Sequence, residues 1–268
     1  CLFALMVMPA CADTNPPAGL SSAPPCERQW TLINEHAHNP AFFTQGLLMH
    51  DGFLYESSGQ YGQSAIIKLA FPSGEVVSGH RLPDHYFAEG LAHIDERFVQ
   101  LTWKAETALV YDANLNPMHT LRYKGEGWGL TRFVSGDGPA KLMLSDGSDQ
   151  LRIVDPDTLE TIRSITVKLA GEPVPLLNEL EQVGSQVLAN IWHSDRVVVI
   201  EPTSGEVTGW FDFSALRQRL SWPAGQMPRE TDLNGLALHG DHLLVTGKYW
   251  PKLFEVEMGS CKIAERHS

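Results

Sequence analysis

Gln45, Glu89, Trp128, Asn178 and Asn234 hold one place in a recurring pattern, a polar or aromatic residue ahead of Gly-Leu. The copies read Gln45-Gly46-Leu47, Glu89-Gly90-Leu91, Trp128-Gly129-Leu130 and Asn234-Gly235-Leu236, with Asn178-Glu179-Leu180 as a degenerate member. They recur 39 to 56 residues apart, the period of a repeated supersecondary unit. If the units are equivalent, these five side chains face one shared centre. Four of them are polar, and Glu89 alone titrates. It is therefore the ring's candidate acid or base.

Each copy opens the same passage of turns and strands: a short Gly-Leu strand, a turn, an apolar strand, a second turn, and a third strand closed by Asp, Pro or Gly. In the second repeat these are residues 90–93, 98–102 and 108–111. After the first four copies a further β-rich run supplies a fourth strand, over 75–79, 119–123, 161–167 and 206–211. The fifth copy has none, but an unmatched strand at 30–36 stands free to complete it. Short four-stranded sheets repeated radially form a β-propeller. The expected architecture is all-β: one five-bladed propeller over 26–268, closed by the N-terminal strand. Inserts at 171–176 and 212–232 run into Gly-Leu motifs and belong on the face where the central side chains open. Residues 213–220 within the second could form a short helix with Ser214 as its N-cap.

In a propeller the innermost strands line a channel, and the second turn of each repeat approaches the same mouth. Phe43 and Phe87 stand two residues before Gln45 and Glu89, on the same side of their strands. The projected pocket has aromatic walls from Phe43, Phe87, Trp103, Trp128 and Trp192. Its few polar groups are Gln45, Glu89, Asn178, Asn234 and Lys248. An apolar concavity with a few convergent polar groups suits a small ligand or a chain end. Trp210, Trp222 and Trp250 read as structural or rim residues, and Asn234 as structural.

The 268 residues carry a net charge of -12 with no Lys/Arg-rich tract, which argues against nucleic acid as a partner. Residues 2–10 are apolar but too short to span a bilayer, and Ala10-Cys11-Ala12 has the form of a signal-peptidase site. Residues 1–12 therefore read as a truncated signal peptide, with lipidation of Cys11 as a weaker alternative. The Pro/Ser/Ala-rich stretch 13–25 reads as a disordered lead-in. Export to the periplasm or beyond would leave Cys26 and Cys261 as the only cysteines, and a disulfide joining the two ends is expected. The sequence has no CxxC, HExxH or zinc-spaced cluster, so neither a catalytic metal nor another cofactor is indicated.

Six segments carry a resemblance. Phe-Thr-Gln-Gly-Leu at 43–47, Tyr-Glu-Ser-Ser-Gly at 55–59, Phe-Ala-Glu-Gly-Leu at 87–91, Leu-Asn-Glu-Leu-Glu at 177–181, Ala-Asn-Ile-Trp at 189–192 and Thr-Gly-Lys-Tyr-Trp-Pro-Lys-Leu at 246–253 resemble the plant- and bacterial-type glutaminyl cyclases. The resemblance runs from about residue 28 to 257. It implies a five-bladed propeller that turns the N-terminal glutamine of peptides and proteins into pyroglutamate, releasing ammonia without a catalytic zinc. It also implies a site of Phe43, Gln45, Phe87, Glu89, Trp103, Trp128, Asn178, Trp192 and Lys248. Of these, Glu89, Lys248, Asn178 and Gln45 would be catalytic and the five aromatics would bind substrate. A monomer is expected. Two other readings compete on the residues alone: a calcium-dependent propeller hydrolase such as a lactonase, and a non-catalytic peptide-binding propeller. The first would want several carboxylates converging on the channel, where this pattern offers one.

Overall fold

The computed structural model describes residues 24–222 and 225–262. The expected leader over 1–12 and all but the last two residues of the lead-in over 13–25 lie outside them. The described chain is all-β, with one helical turn. Strand β1 (Cys26–Ala37) comes first. Three antiparallel four-stranded meanders follow. They are β2 (Thr44–His50), β3 (Phe53–Ser58), β4 (Ala65–Ala70) and β5 (Glu75–Arg81); β6 (Ala88–Ile94), β7 (Arg97–Thr102), β8 (Thr107–Tyr111) and β9 (Pro117–Arg122); and β10 (Leu130–Phe133), β11 (Lys141–Ser145), β12 (Gln150–Val154) and β13 (Thr161–Thr166). A small hairpin, β14 (Lys168–Leu169) and β15 (Glu172–Pro173), occupies the first insert.

The rest of the chain forms one eight-stranded sheet. Its members are β16 (Leu177–Val183), β17 (Gln186–Ile191), β18 (Arg196–Ile200), β19 (Val207–Asp212), β20 (Leu233–His239), β21 (His242–Gly247) and β22 (Lys252–Cys261), with β1 in the middle. Strand β1 pairs antiparallel with β22 from Arg28 to Ala37, as the fourth strand missing from the last repeat. It also touches β19 in parallel at Cys26 and Glu27, which fuses two meanders into one sheet. Cys26 and Cys261 form a disulfide there, with Cα atoms 5.6 Å apart.

Local sequence explains the meanders. The first two strands of the first repeat turn at Asp51-Gly52, where both residues have positive φ, as a two-residue hairpin with the right twist requires. Gly184-Ser185 and Gly240-Asp241 make equally short turns. The first strands of the five repeats also lie side by side. Strand β2 contacts β6 and β20, β6 contacts β10, β10 contacts β16, and β16 contacts β20. The recurring glycines permit this approach: a Cβ on Gly46 would overlap the Leu91 backbone, one on Gly90 the Leu130 backbone, and one on Gly129 the Asn178 backbone. The leucines that follow are buried between the sheets; Leu47, Leu91, Leu130, Leu180 and Leu236 are each at most 1% exposed.

The helix α1 (Ser214–Arg217) is a single turn, shorter than the 213–220 expected, and Ser214 is its first helical residue. Phe213 takes the cap position, with its ring fully buried and no side-chain cap bond. The capping-type contact comes instead from Asp212 Oδ1, which accepts the Ser214 N–H at 2.9 Å. Core anchoring of Phe213 overrides the capping preference of serine.

Candidate active site

Four of the first strands carry a β-bulge at the motif. Pairing slips by one residue between Thr44 and Gly46, Ala88 and Leu91, Leu177 and Leu180, and Leu233 and Leu236. The extra residue leaves the ladder and turns a side chain out of its plane, a common device beside active sites. Gln45, Glu89, Asn178 and Asn234 stand at these bulges. Trp128 lies just ahead of β10, its N–H donating to the Ser145 carbonyl at 2.9 Å.

Nine of the ten residues projected from sequence line one cavity of about 390 Å³, together with Gln60, Tyr61 and Glu230; Asn234 lies outside it, fully buried. A larger depression of about 840 Å³ lies around Thr131–Gly136 and Gln182–Ser185; its walls are mostly turns, and it carries none of the nine. Trp210, Trp222 and Trp250 stay outside the cavity. Trp250 is fully buried and donates its indole N–H to the Thr231 carbonyl at 2.8 Å.

The walls are held from behind. Phe43 and Phe87 meet edge to face at 5.9 Å between centroids, Phe87 and Trp103 at 5.7 Å, and Trp128 and Trp192 at 5.3 Å. Trp103 and Trp128 both donate their indole N–H to Glu126 Oε2, at 2.7 and 3.0 Å. Trp192 donates to Asp232 Oδ2 at 3.1 Å. The main chain sets the second turns: Trp103 N–H donates to the Phe87 carbonyl, Trp192 N–H to Leu176 and Lys248 N–H to Asp232, each at 2.9 Å. Both inserts thus reach the cavity mouth, through Leu176 and through Asp232.

Glu89 is 4% exposed, and Gln45 Nε2 donates to its Oε1 at 2.9 Å. Burial pushes the Glu89 carboxyl well above the usual range; Glu126 adds to the push, while Lys248 and the Gln45 hydrogen bond oppose it. Lys248 lies under the same roof, its Nζ 4.6 Å from the Phe43 ring centre and 5.9 Å from that of Trp192. Burial lowers its pKa against the attraction of Glu89, Asp232 and Glu230. Among the described residues Lys248 Nζ forms no ion pair. Asn178 Oδ1 is buried without a hydrogen-bond partner.

Sequence reasoning counted one titrating group in the ring. The structure adds Glu179, also buried, at the place where the other copies have glycine. Its oxygens accept the Leu47 N–H at 3.4 Å and the Leu236 N–H at 3.0 Å, backbone groups on the free edges of β2 and β20. Burial raises its pKa well above the usual range. The degenerate second position of the motif was the available signal. Among the described residues no group of three or more His, Cys, Asp or Glu could hold a metal ion, and no helix is long and apolar enough to cross a membrane.

A sheet assembly whose first strands converge on an aromatic cavity, with a buried carboxyl beside amides and an ammonium, defines an all-β protein with an enclosed small-ligand site. The glutamine cyclotransferase family model matches residues 2–258, and the chain belongs to that family. A glutaminyl-peptide cyclotransferase of Arabidopsis thaliana is 37% identical over 232 residues, covering 85% of this chain and 70% of the relative. The crystal structure of Myxococcus xanthus glutaminyl cyclase superposes with a TM-score of 0.80 at 39% identity, covering 89% of this chain and all of the other.

Proposed function

We propose that this protein is a metal-independent glutaminyl-peptide cyclotransferase, converting the N-terminal glutamine of peptides or proteins to pyroglutamate with release of ammonia. The observation that carries this reading is the buried Glu89 carboxyl, hydrogen-bonded by Gln45 inside an aromatic cavity of chain-end size. The substrate's α-amine attacks its own γ-carboxamide carbon, so the nucleophile is intramolecular. Aromatic walls that hold the side chain folded back supply much of the acceleration. Glu89 takes a proton from the amine as the C–N bond of the ring forms. It returns that proton to the departing nitrogen, which leaves as ammonia, and ends in its starting state. A raised carboxyl pKa suits both halves of this exchange.

Gln45 spends one N–H on Glu89; its second N–H, Lys248 Nζ and Asn178 Nδ2 are the donors available to the tetrahedral oxyanion, each worth about 3 kcal/mol. Asn178 Oδ1, unpartnered in the fold, accepts from the α-amine or the first peptide N–H. Phe43, Phe87, Trp103, Trp128 and Trp192 bind the substrate.

The same reading makes the sheets five blades of one propeller over 26–268, the eight-stranded sheet counting as two blades bridged by β1. The side-by-side contacts of β2, β6, β10, β16 and β20 support it. The disulfide and the apolar composition of residues 2–10 support export to the periplasm or beyond, by a signal peptide over 1–12, as a monomer.

Mass spectrometry of a Gln-initiated peptide incubated with the protein in excess EDTA tests the central claim. Native protein is expected to remove one ammonia per peptide, and Glu89→Gln and Glu89→Ala to be slower by about 100-fold or more. Absence of mass loss with folded native protein would sink the cyclase reading, and loss only without EDTA would sink metal independence.

A further inference from the structure

Asn234 belongs to the motif ring, yet neither the cavity nor the proposed chemistry uses it. It is fully buried, on β20, and its Nδ2 lies 3.0 Å from the Thr44 carbonyl oxygen and 2.9 Å from Gln45 Oε1. Gln45 in turn sets its Nε2 2.9 Å from Glu89 Oε1. A row of two amides and a carboxyl can usually be drawn in either direction, because amide nitrogen and oxygen are interchangeable by rotation. Here the direction is forced. A main-chain carbonyl can only accept, so the Asn234 atom beside it must be the NH2. That same nitrogen faces Gln45, so Gln45 must answer with its oxygen. Its NH2 is then turned to Glu89.

We propose that Asn234 is a positioning residue for the cyclisation proposed above: with Thr44 and Gln45 it keeps Glu89 Oε1 a permanent acceptor, so that the transferable proton is taken up and delivered at Oε2. A proton on Oε1 would oppose the Gln45 N–H. Among the described residues no group donates to Oε2, which leaves it to the substrate. Oε2 takes the proton from the α-amine as the ring C–N bond forms and gives it to the nitrogen that departs as ammonia. One oxygen serves both transfers, and no proton has to cross the carboxyl group between them.

The relay also acts on the charge of Glu89. Donation by Gln45 favours the carboxylate, against burial and the nearby Glu126 and alongside Lys248. Cutting the relay frees Gln45 to turn its oxygen toward Glu89, which favours the protonated acid.

The test is the pH dependence of kcat and KM for a Gln-initiated peptide with native protein, Asn234→Leu and Asn234→Ala. Both substitutions remove the amide without adding charge, and the smaller one guards against misfolding of the larger. Thermal melting followed by circular dichroism gives the folded fraction of each. In folded variants the limb of kcat that reports Glu89 ionisation is expected to move to higher pH, with kcat at neutral pH lower by about tenfold and KM changed far less. An unmoved limb, with kcat lost only in proportion to the unfolded fraction, would overturn the relay and leave Asn234 a packing residue. If native protein itself shows no turnover, the cyclase reading fails; if it turns over normally and the variants keep its limb, the relay alone fails.

Discussion

Three tryptophans wall the cavity, and each gives its indole N–H to a carboxylate at its back: Trp103 and Trp128 to Glu126, Trp192 to Asp232. Glu126 is the more exposed to test, since one oxygen serves two walls and its charge reaches Glu89. Burial works to raise its own pKa, but the hydrogen bonds from Trp128 and Trp103 and the neighbouring Lys104 hold it below the usual range. Glu126→Ala is therefore expected to raise KM by about tenfold, by loosening two walls at once. Glu126→Gln keeps an acceptor for both indoles and should bind substrate nearly normally. It removes a negative charge that raises the Glu89 pKa, so its kcat–pH limb should move to lower pH. Steady-state kinetics across pH separates the two effects, and equal KM values for both variants would refute the clamp. Glu126 and Asp232 stand two residues before Trp128 and Asn234, the offset that singles out Phe43 and Phe87. That offset was readable. A carboxylate at a channel mouth nevertheless reads as solvated surface until the indoles behind it are in place.

The bulged first strands are the elements that make the site. Gly-Leu entries were visible as repeats, but the one-residue slip that turns Gln45, Glu89, Asn178 and Asn234 out of their ladders depends on partner strands elsewhere in the chain. The same holds for Glu179, whose place in the motif looked like decay and whose carboxyl occupies the narrow space between β2 and β20. Strand β1 is tied to the last sheet through another buried carboxyl. Glu255 on β22 accepts from Asn34 Nδ2 at 2.8 Å and faces His36 Nε2 at 3.0 Å, both on β1, and also faces His242 Nδ1 at 2.8 Å and His239 Nδ1 at 3.4 Å. Burial works to raise its pKa, but these four hydrogen bonds outweigh it and hold it to about 2. A carboxyl depressed by folding contributes stability that is present above its unfolded value and is lost as pH falls through the folded one. Urea titrations of native protein and Glu255→Gln should therefore differ most above pH ~4.5 and converge as pH falls toward 2. A difference that stays constant across that window would remove Glu255 as the latch.

At the scale of the whole molecule, the first and last described strands are joined both by pairing and by a covalent bond. The Cys26–Cys261 bridge spans 235 residues of sequence, at a junction where β1 lies between β19 and β22. Closing so long a loop restricts the unfolded chain strongly, and the double variant Cys26→Ser/Cys261→Ser is expected to lose about 2–5 kcal/mol of unfolding free energy. Denaturant melts of the oxidised native protein and the variant measure this directly. An unchanged midpoint would mean that β1 pairing alone holds the two strands together.

The sequence by itself determined the period, the all-β class, the spare first strand, the paired cysteines and nine of the twelve residues that line the cavity. These are properties of spacing and residue type, which the linear order carries. Tertiary structure alone decided the rest: that β1 also touches β19, that serine at 214 caps nothing because Phe213 anchors in the core, and that Glu126 and Asp232 hold the walls. It also decided the direction of the hydrogen bonds from Thr44 to Glu89. The bonds that Trp103, Trp192, Gln45 and Asn234 make join residues 23 to 190 apart in the chain, and a hydrogen bond's direction is set only when both partners are in place.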